Sequence, residues 1–360
     1  MTVRLGVEEE FHIVDLATGM PVSAAPGLLE LLPDRTFVRE LQQSVVETNS
    51  RVHGTLDALR ADLAGTRRLL AETAAPLGLG VIAAGAPPLS RTGTLDATPT
   101  ARYERIMEEY AAVADEQQIC AAQVHADVPD RDTGVRAMAW LAPWAPVLLA
   151  LSASSPFWLG ADTGYASWRT LVMQRWPSSG PPGAFASAAE YDGLVDELVR
   201  SGVITDPGMV YFDIRPSAHQ DTLELRICDA CPRVDTVVMI AGLFRALVAD
   251  ACAAVRDRPA EAVRPEWLRA ATWRAARSGL SGDLLDPLTR TAAPAPEVVR
   301  TLLQHVRGTL EGNGDWAEVA DLAARELAAG GAAQRLRRVA GDKDLQAVVG
   351  TLATETRGPH

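Results

Sequence analysis

"MVYFDIRPSAHQDTLELRICDA", residues 209–230, is the stretch that decides the fold class. Two alternating runs, 209–217 and 222–229, flank the turn-like "AHQD", a separation that suits an antiparallel hairpin and is too short for a parallel crossover. In the first run Phe212 and Ile214 share one face while Asp213 and Arg215 share the other. In the second, Leu223, Leu225 and Ile227 oppose Glu224 and Arg226. Each strand therefore predicts an apolar face for packing and a charged face free for chemistry.

The same period recurs upstream. "VRLGVEEEFHIVD" (3–15) reads as a strand with Glu8 and Glu10 on one face and Glu9 on the other, either solvated or paired with an arginine. "SVVETN" (44–49), "GVIAAG" (80–85) and "CAAQVHADV" (120–128) read as further strands, the last presenting His125 and Asp127 together. Helical periodicity occupies 55–78, 101–119 and 188–202, and 135–154 reads as one long apolar helix that Pro143 and Pro146 kink or interrupt. From Val234 onward the pattern is helical, in four segments. Strands mixed with helices and followed by a helical third predict an α+β fold with an antiparallel sheet, sheet-rich over 1–233 and helical over 234–360.

The composition of the 360 residues, 48% hydrophobic and 22% charged, is globular, and a net charge of −12 without Lys/Arg runs argues against nucleic acid or an anionic membrane as partner. No cationic leader precedes an apolar segment, and the long apolar run at 135–154 is interrupted by Pro143 and Pro146 and reads as a core helix, so a cytoplasmic location is expected. Lys343 is the single lysine, and there is no G-x-x-x-x-G-K-[ST]; phosphate handling would have to rely on arginine and metal. G-x-G-x-x-G, G-x-S-x-G and H-E-x-x-H are likewise missing, which removes the usual arguments for dinucleotide binding, a serine hydrolase or a zinc protease. Of four cysteines, Cys228 and Cys231 have C-x-x-C spacing, but without a second pair they read as small buried residues.

Several strands that each project Glu, His or Arg from one face can build a common active-site floor. Carboxylates with an occasional imidazole suit Mg²⁺ or Mn²⁺, and arginines neutralise charge on a transferring phosphoryl group. Metal-assisted phosphoryl transfer is the chemistry these residues fit.

Taken together and in order, "GVEEEFHIVD", "ELQQSVVETNS", "QVHADVPDRD", "LALSASSPFWLGADTGYASWR", "QRWPSSGPP", "DPGMVYFDIRPS" and "TLELRICDACP" resemble the carboxylate–amine ligases of the glutamate–cysteine ligase type 2 group, over roughly residues 4–350. The resemblance implies a single catalytic domain over 1–360, with a glutamine-synthetase-like antiparallel sheet forming a funnel-shaped active site and helices on its outer face. It implies that ATP phosphorylates a substrate carboxylate, typically of glutamate, and that an amine, typically of cysteine, attacks the acyl phosphate. Glu8, Glu10, Glu40, Glu47, His125 and Glu224 match the metal-site positions, with Glu47, Glu224 and Arg226 at the reacting phosphate. Arg226, Arg215 and Asn49 match nucleotide-side positions, and Arg169, Arg175 and Arg215 match motif arginines for substrate carboxylate or phosphate. The Pro/Gly-rich 175–185 segment is the lid candidate, and relatives commonly self-associate, so a homo-oligomer is among the implied partners. A guanidino-kinase-like phosphotransferase and a non-catalytic nucleotide-binding relative are the alternatives; amide formation separates the first.

Three positions depart from the group's pattern: Asp127 stands where glycine is usual, Arg51 where proline is usual and Ser154 where asparagine is usual. The added acid and base are expected either to alter substrate choice or to pair with each other.

Overall fold

Alternation along the N-terminal strand is realised from Leu5 to Phe11, beyond which His12, Ile13 and Val14 are all buried. In the computed structural model, which describes residues 3–33, 35–258, 260, 263–341 and 344–358 (Lys343 lies outside them), Leu5, Val7, Glu9 and Phe11 are buried while Gly6, Glu8 and Glu10 are only partly covered. This strand, β1 (Leu5–Asp15), is the centre of a seven-stranded sheet. The others are β2 (Phe37–Arg39), β3 (Val45–Asn49), β4 (Leu79–Ile82), β5 (Ala122–Asp127), β6 (Ile214–Pro216) and β7 (Thr222–Leu225). Their order is β2-β3-β1-β5-β7-β6, with β4 pairing the C-terminal half of β1, and every pairing is antiparallel.

The expected hairpin exists, but its first arm is shorter than 209–217. Pairing covers Ile214–Pro216 against Leu223–Leu225. Asp206 caps a 3₁₀ turn at Pro207–Met209 by accepting from the Gly208 N–H at 2.9 Å, and Phe212 bridges to Gly180 instead of continuing the ladder. That detour seats the Pro/Gly segment beside the sheet: the Asp213 N–H donates to the Gly180 carbonyl at 2.8 Å. Gly180 sits at φ +121°, a conformation that glycine alone adopts freely.

The buried face of the sheet packs on helices. In α1 (Leu56–Ala74), Leu56, Leu59, Leu63, Arg67, Leu70 and Ala74 form the covered stripe, and Thr55 caps the helix by accepting from the Ala58 N–H. Arg67 stands in that apolar stripe because Glu9 faces it: the two form a fully buried ion pair. Arg67 also donates to the Pro232 and Cys231 carbonyls at 2.9 and 2.8 Å, which satisfies a charge that would otherwise be costly to bury.

The proline-bearing segment is two helices, α2 (Arg131–Leu141) and α3 (Ala145–Ser152), bent by 73°. Pro143 lies in the break and Pro146 in the first turn of α3, where its missing N–H is tolerated. After the six-residue α4 (Trp168–Met173) and α5 (Ala188–Arg200), the helix α6 (Val234–Asp257) is long and apolar enough to cross a membrane by length and composition. Here it lies against β1 and β5, flanked by α1 and α2, as the core helix. The rest of the chain adds helices at 265–278, 295–305, 307–313, 316–329, 331–340 and 345–357. The sequence reading takes 295–312 as one helix and does not foresee the last two.

Candidate active site

Residues directly opposite in an antiparallel pair share a face, so register alone assembles the site. Glu10 lies opposite Glu47 and Glu8 opposite Asn49; on the other side of β1, Glu8 lies opposite Gln123. His125 then lies opposite Glu224, and Glu224 opposite Arg215. Glu40 comes from the link between β2 and β3, its carboxylate accepting from the Leu41 N–H at 2.7 Å. A cavity of about 330 Å³ opens on this face, with Glu8, Glu10, Glu40, Glu47, Arg215 and Arg226 on its wall. The six expected ligands fall into two sets, Glu8–His125–Glu224 and Glu10–Glu40–Glu47, and the potential donor atoms of each set lie within 4.8 Å of one another.

The two sets differ electrostatically. Burial and then the Glu40 charge push Glu10 up to about 7, although the Ala121 N–H (2.7 Å) and Gln123 amide (3.0 Å) donate to it. Burial, reinforced by Glu40, Glu8 and Glu10, holds Glu47 well above the usual carboxylate range. Glu224 goes the other way: burial opposes its charge, but Arg226, Arg215 and His125 outweigh it and bring it down to about 2. Arg215 Nε donates to Glu224 at 2.9 Å and Arg226 grips the other oxygen. For His125, burial disfavours the imidazolium, yet the Glu8 and Glu224 carboxylates prevail and raise it. Its Nδ1 lies 3.2 Å from the Thr222 hydroxyl, whereas its Nε2, 3.3 Å from Glu8, is buried without an aligned hydrogen-bond partner.

This sheet face carries two acidic triads and two arginines, and the sequence profile described as glutamate–cysteine ligase family 2 matches residues 4–353. The chain belongs to glutamate–cysteine ligase family 2. A protein of Frankia alni provisionally named glutamate–cysteine ligase 2-3 is 54% identical over 99% of this chain and 42% of its own length. A Mycolicibacterium smegmatis protein provisionally named glutamate–cysteine ligase 2-2 is 53% identical over 93% of this chain and 85% of itself. The chain thus spans less than half of the Frankia relative. Among solved structures, the glutamate–cysteine ligase of Francisella tularensis in complex with AMP shares the fold at TM-score 0.75 and 10% identity, over 100% of this chain and 90% of that one. A bifunctional glutathione synthetase from Pasteurella multocida does so at TM-score 0.71 and 15% identity, over 98% of this chain and 52% of that one.

Within this family member the remaining candidates separate. Arg169, from α4, is buried on the cavity wall and donates to the Ile227 and Arg226 carbonyls at 3.1 Å each. Asn49 sits on the site face beside Glu47, to which its amide donates at 3.4 Å. Arg175 is not brought to the wall: it donates to the Val172 carbonyl at 3.2 Å and pairs with Glu116, while its neighbour Trp176 lines the cavity. Asp127 and Arg51 do not pair with each other. Asp127 accepts from Arg4 at 2.6 Å, and Arg51 donates to Asp62 at 2.9 Å. Ser154 is a buried backbone clamp, donating to the Ala230 carbonyl at 2.7 Å and accepting from the Gly85 N–H at 2.9 Å. Cys228 and Cys231 are free and buried, with burial raising the Cys228 thiol to about 12.

What the motif reading passed over is Gln123 and Asp229; Asp213 was placed by alternation on the charged face with Arg215 but given no role. Gln123 accepts from Arg226 and donates to Glu10; lying two residues before His125, it was findable by alternation. Asp229, between the two cysteines, is fully buried and accepts from Ser155 and Ser167 hydroxyls at 2.7 Å and the Ser154 N–H at 2.9 Å. Ser155 in turn accepts from the Arg169 N–H at 3.1 Å, so this acid fixes the start of α4 and with it Arg169.

Proposed function

We propose that this chain is an ATP-dependent carboxylate–amine ligase of the glutamate–cysteine type, activating a carboxylate as an acyl phosphate that an amine then attacks. The observation that carries the reading is the pairing of two three-donor acidic sets with Arg215 and Arg226 on one cavity face of a chain in this family. The donor set, five carboxylates and one imidazole whose buried Nε2 has no aligned hydrogen-bond partner, fits hard divalent cations such as Mg²⁺ or Mn²⁺. Glu8, His125 and Glu224 would hold one ion, and Glu10, Glu40 and Glu47 another. Bound there, such ions would supply positive charge that offsets the negative charge of nucleotide phosphates.

The chain's own groups supply the rest. Glu224 orients Arg226 and Arg215 so that their free donors meet phosphate oxygens, a preorganised positive field where charge is handed over. Asn49, beside Glu47, serves the nucleotide side, and Arg169 supplies a fixed cation for a substrate carboxylate. Trp176, Ser179 and Gly180 of the Pro/Gly segment border the cavity and would limit water, which an acyl phosphate requires. The sheet face is then the floor of a funnel-shaped site, and no enzyme nucleophile is needed.

The test incubates the protein with ATP, Mg²⁺ and a panel of carboxylates and amines, reading ADP and new amides by mass spectrometry. Amide formation is expected, with Glu47→Gln and Glu224→Gln each lowering ADP release by about 100-fold or more while the melting transition survives. ADP without any amide, or unchanged turnover in both variants, overturns the reading.

A further inference from the structure

One acid on the cavity wall belongs to neither triad. Asp213 immediately precedes β6 and shares the site face with Arg215. Its carboxylate accepts no hydrogen bond among the described residues, and the charge that acts on it is Arg169. The two do not close into an ion pair: the Arg169 terminal nitrogens hold the Ile227 and Arg226 carbonyls, and its Nε–H has no acceptor. An unpaired carboxylate and an incompletely satisfied guanidinium on one cavity wall are the complement of a zwitterion. The Asp213 backbone is pinned on both sides, its N–H to Gly180 and its carbonyl accepting from the Arg226 N–H at 2.9 Å. It is therefore fixed between the Pro/Gly segment and the arginine assigned to phosphate.

We infer that Asp213 receives the ammonium group of the amine substrate and takes its proton, while Arg169 holds the carboxylate of the same α-amino acid. The inference rests on the ligase reading above. An ammonium ion has no lone pair, so one N–H proton passes to the Asp213 carboxylate. The freed amine then attacks the acyl carbon, the C–N bond forms, and the C–O bond to phosphate breaks. Phosphate leaves with that electron pair and picks up the second amine proton, and Asp213 returns its own proton to water. Burial, eased by Arg169, pushes Asp213 up to about 7, a value suited to accepting a proton near neutrality.

Hydroxylamine separates the roles, because at about pH 8 it is neutral and carries no carboxylate. With ATP, Mg²⁺ and L-glutamate, Asp213→Asn is expected to form the hydroxamate from hydroxylamine within about 3-fold of the parent. The same variant is expected to form amide from L-cysteine about 100-fold or more slowly, with partial recovery in Asp213→Glu. The parent should also prefer cysteine to cysteamine, which lacks the carboxylate, and Arg169→Gln should erase that preference. Parallel loss of both products in Asp213→Asn, or loss of neither, overturns the inference alone. A parent that forms neither hydroxamate nor amide overturns the ligase reading, and the inference falls with it.

Discussion

Asp213 should make the protein less stable than it could be, and replacing it by the isosteric asparagine should reveal by how much. Its environment raises the carboxyl from 3.8 to about 7, with burial as the leading cause. A shift of that size corresponds to roughly 4 kcal/mol against the charged form. The carboxylate borders a cavity, so solvent screening brings the expected figure to about 2 kcal/mol. An acid whose folded value is raised is destabilised only where the folded state must carry the charge. The penalty is absent below about 3.8, grows between there and 7, and is complete above 7. The charged group that acts on it is Arg169 from α4, which eases the penalty that burial imposes. Asp213→Asn is thus expected to exceed the parent by about 2 kcal/mol in urea unfolding at about pH 8, or roughly 3 °C in melting temperature, with the gap narrowing steadily toward pH 4. Equal or lower stability of the variant at pH 8, or a gap that ignores pH, refutes the reasoning.

Two further substitutions probe the groups that hold the site in place. Glu9→Gln leaves Arg67 buried without its counter-charge and should cost about 3–5 kcal/mol in urea unfolding, while Glu9→Met combined with Arg67→Met should recover most of that loss. Equal stability of the single and double variants contradicts the pairing. Gly85→Ala would place a Cβ 2.4 Å from the Asp229 Cγ and 2.8 Å from the Ser155 hydroxyl, so a loss of about 2 kcal/mol or more is expected in thermal melts, against near-neutrality for Gly65→Ala, which meets nothing within 4 Å.

The site was legible in proportion to how far period two carries. Alternation alone put Glu8 with Glu10, His125 with Asp127 and Glu224 with Arg226, and it also separates Glu9, whose arginine partner the sequence left unnamed because Arg67 lies 58 positions away on a helix. Strand register was not legible. The division of the six candidate donors into two triads follows from Glu10 facing Glu47 and His125 facing Glu224, and a slip of one residue would turn either partner to the opposite face. Glu40 and Arg169 entered through motif resemblance, since neither lies on a strand of the sheet. The shortened first arm of the hairpin had a local signal in Asp206–Pro207, a cap and a turn starter, but its bridge to Gly180 is a contact between segments some 30 residues apart that no local pattern carries.

The departures from the family pattern bear on where substrate choice is encoded. Asp127 is engaged by Arg4, Arg51 by Asp62 and Ser154 by two backbone groups, so each of the three is satisfied by a partner other than a ligand. None of them is on the cavity wall, whereas Arg102, Tyr103, Tyr211 and Asp213 are. Of these, Arg102 is tied to Asp206 at 2.8 Å, the residue that caps the turn leading into Asp213. A change at Arg102 or Asp206 would therefore move Asp213 through the backbone. On the ligase reading proposed above, it would alter amine selection without touching either acidic triad, a separation that would let one scaffold keep its phosphoryl chemistry while its nucleophile changes.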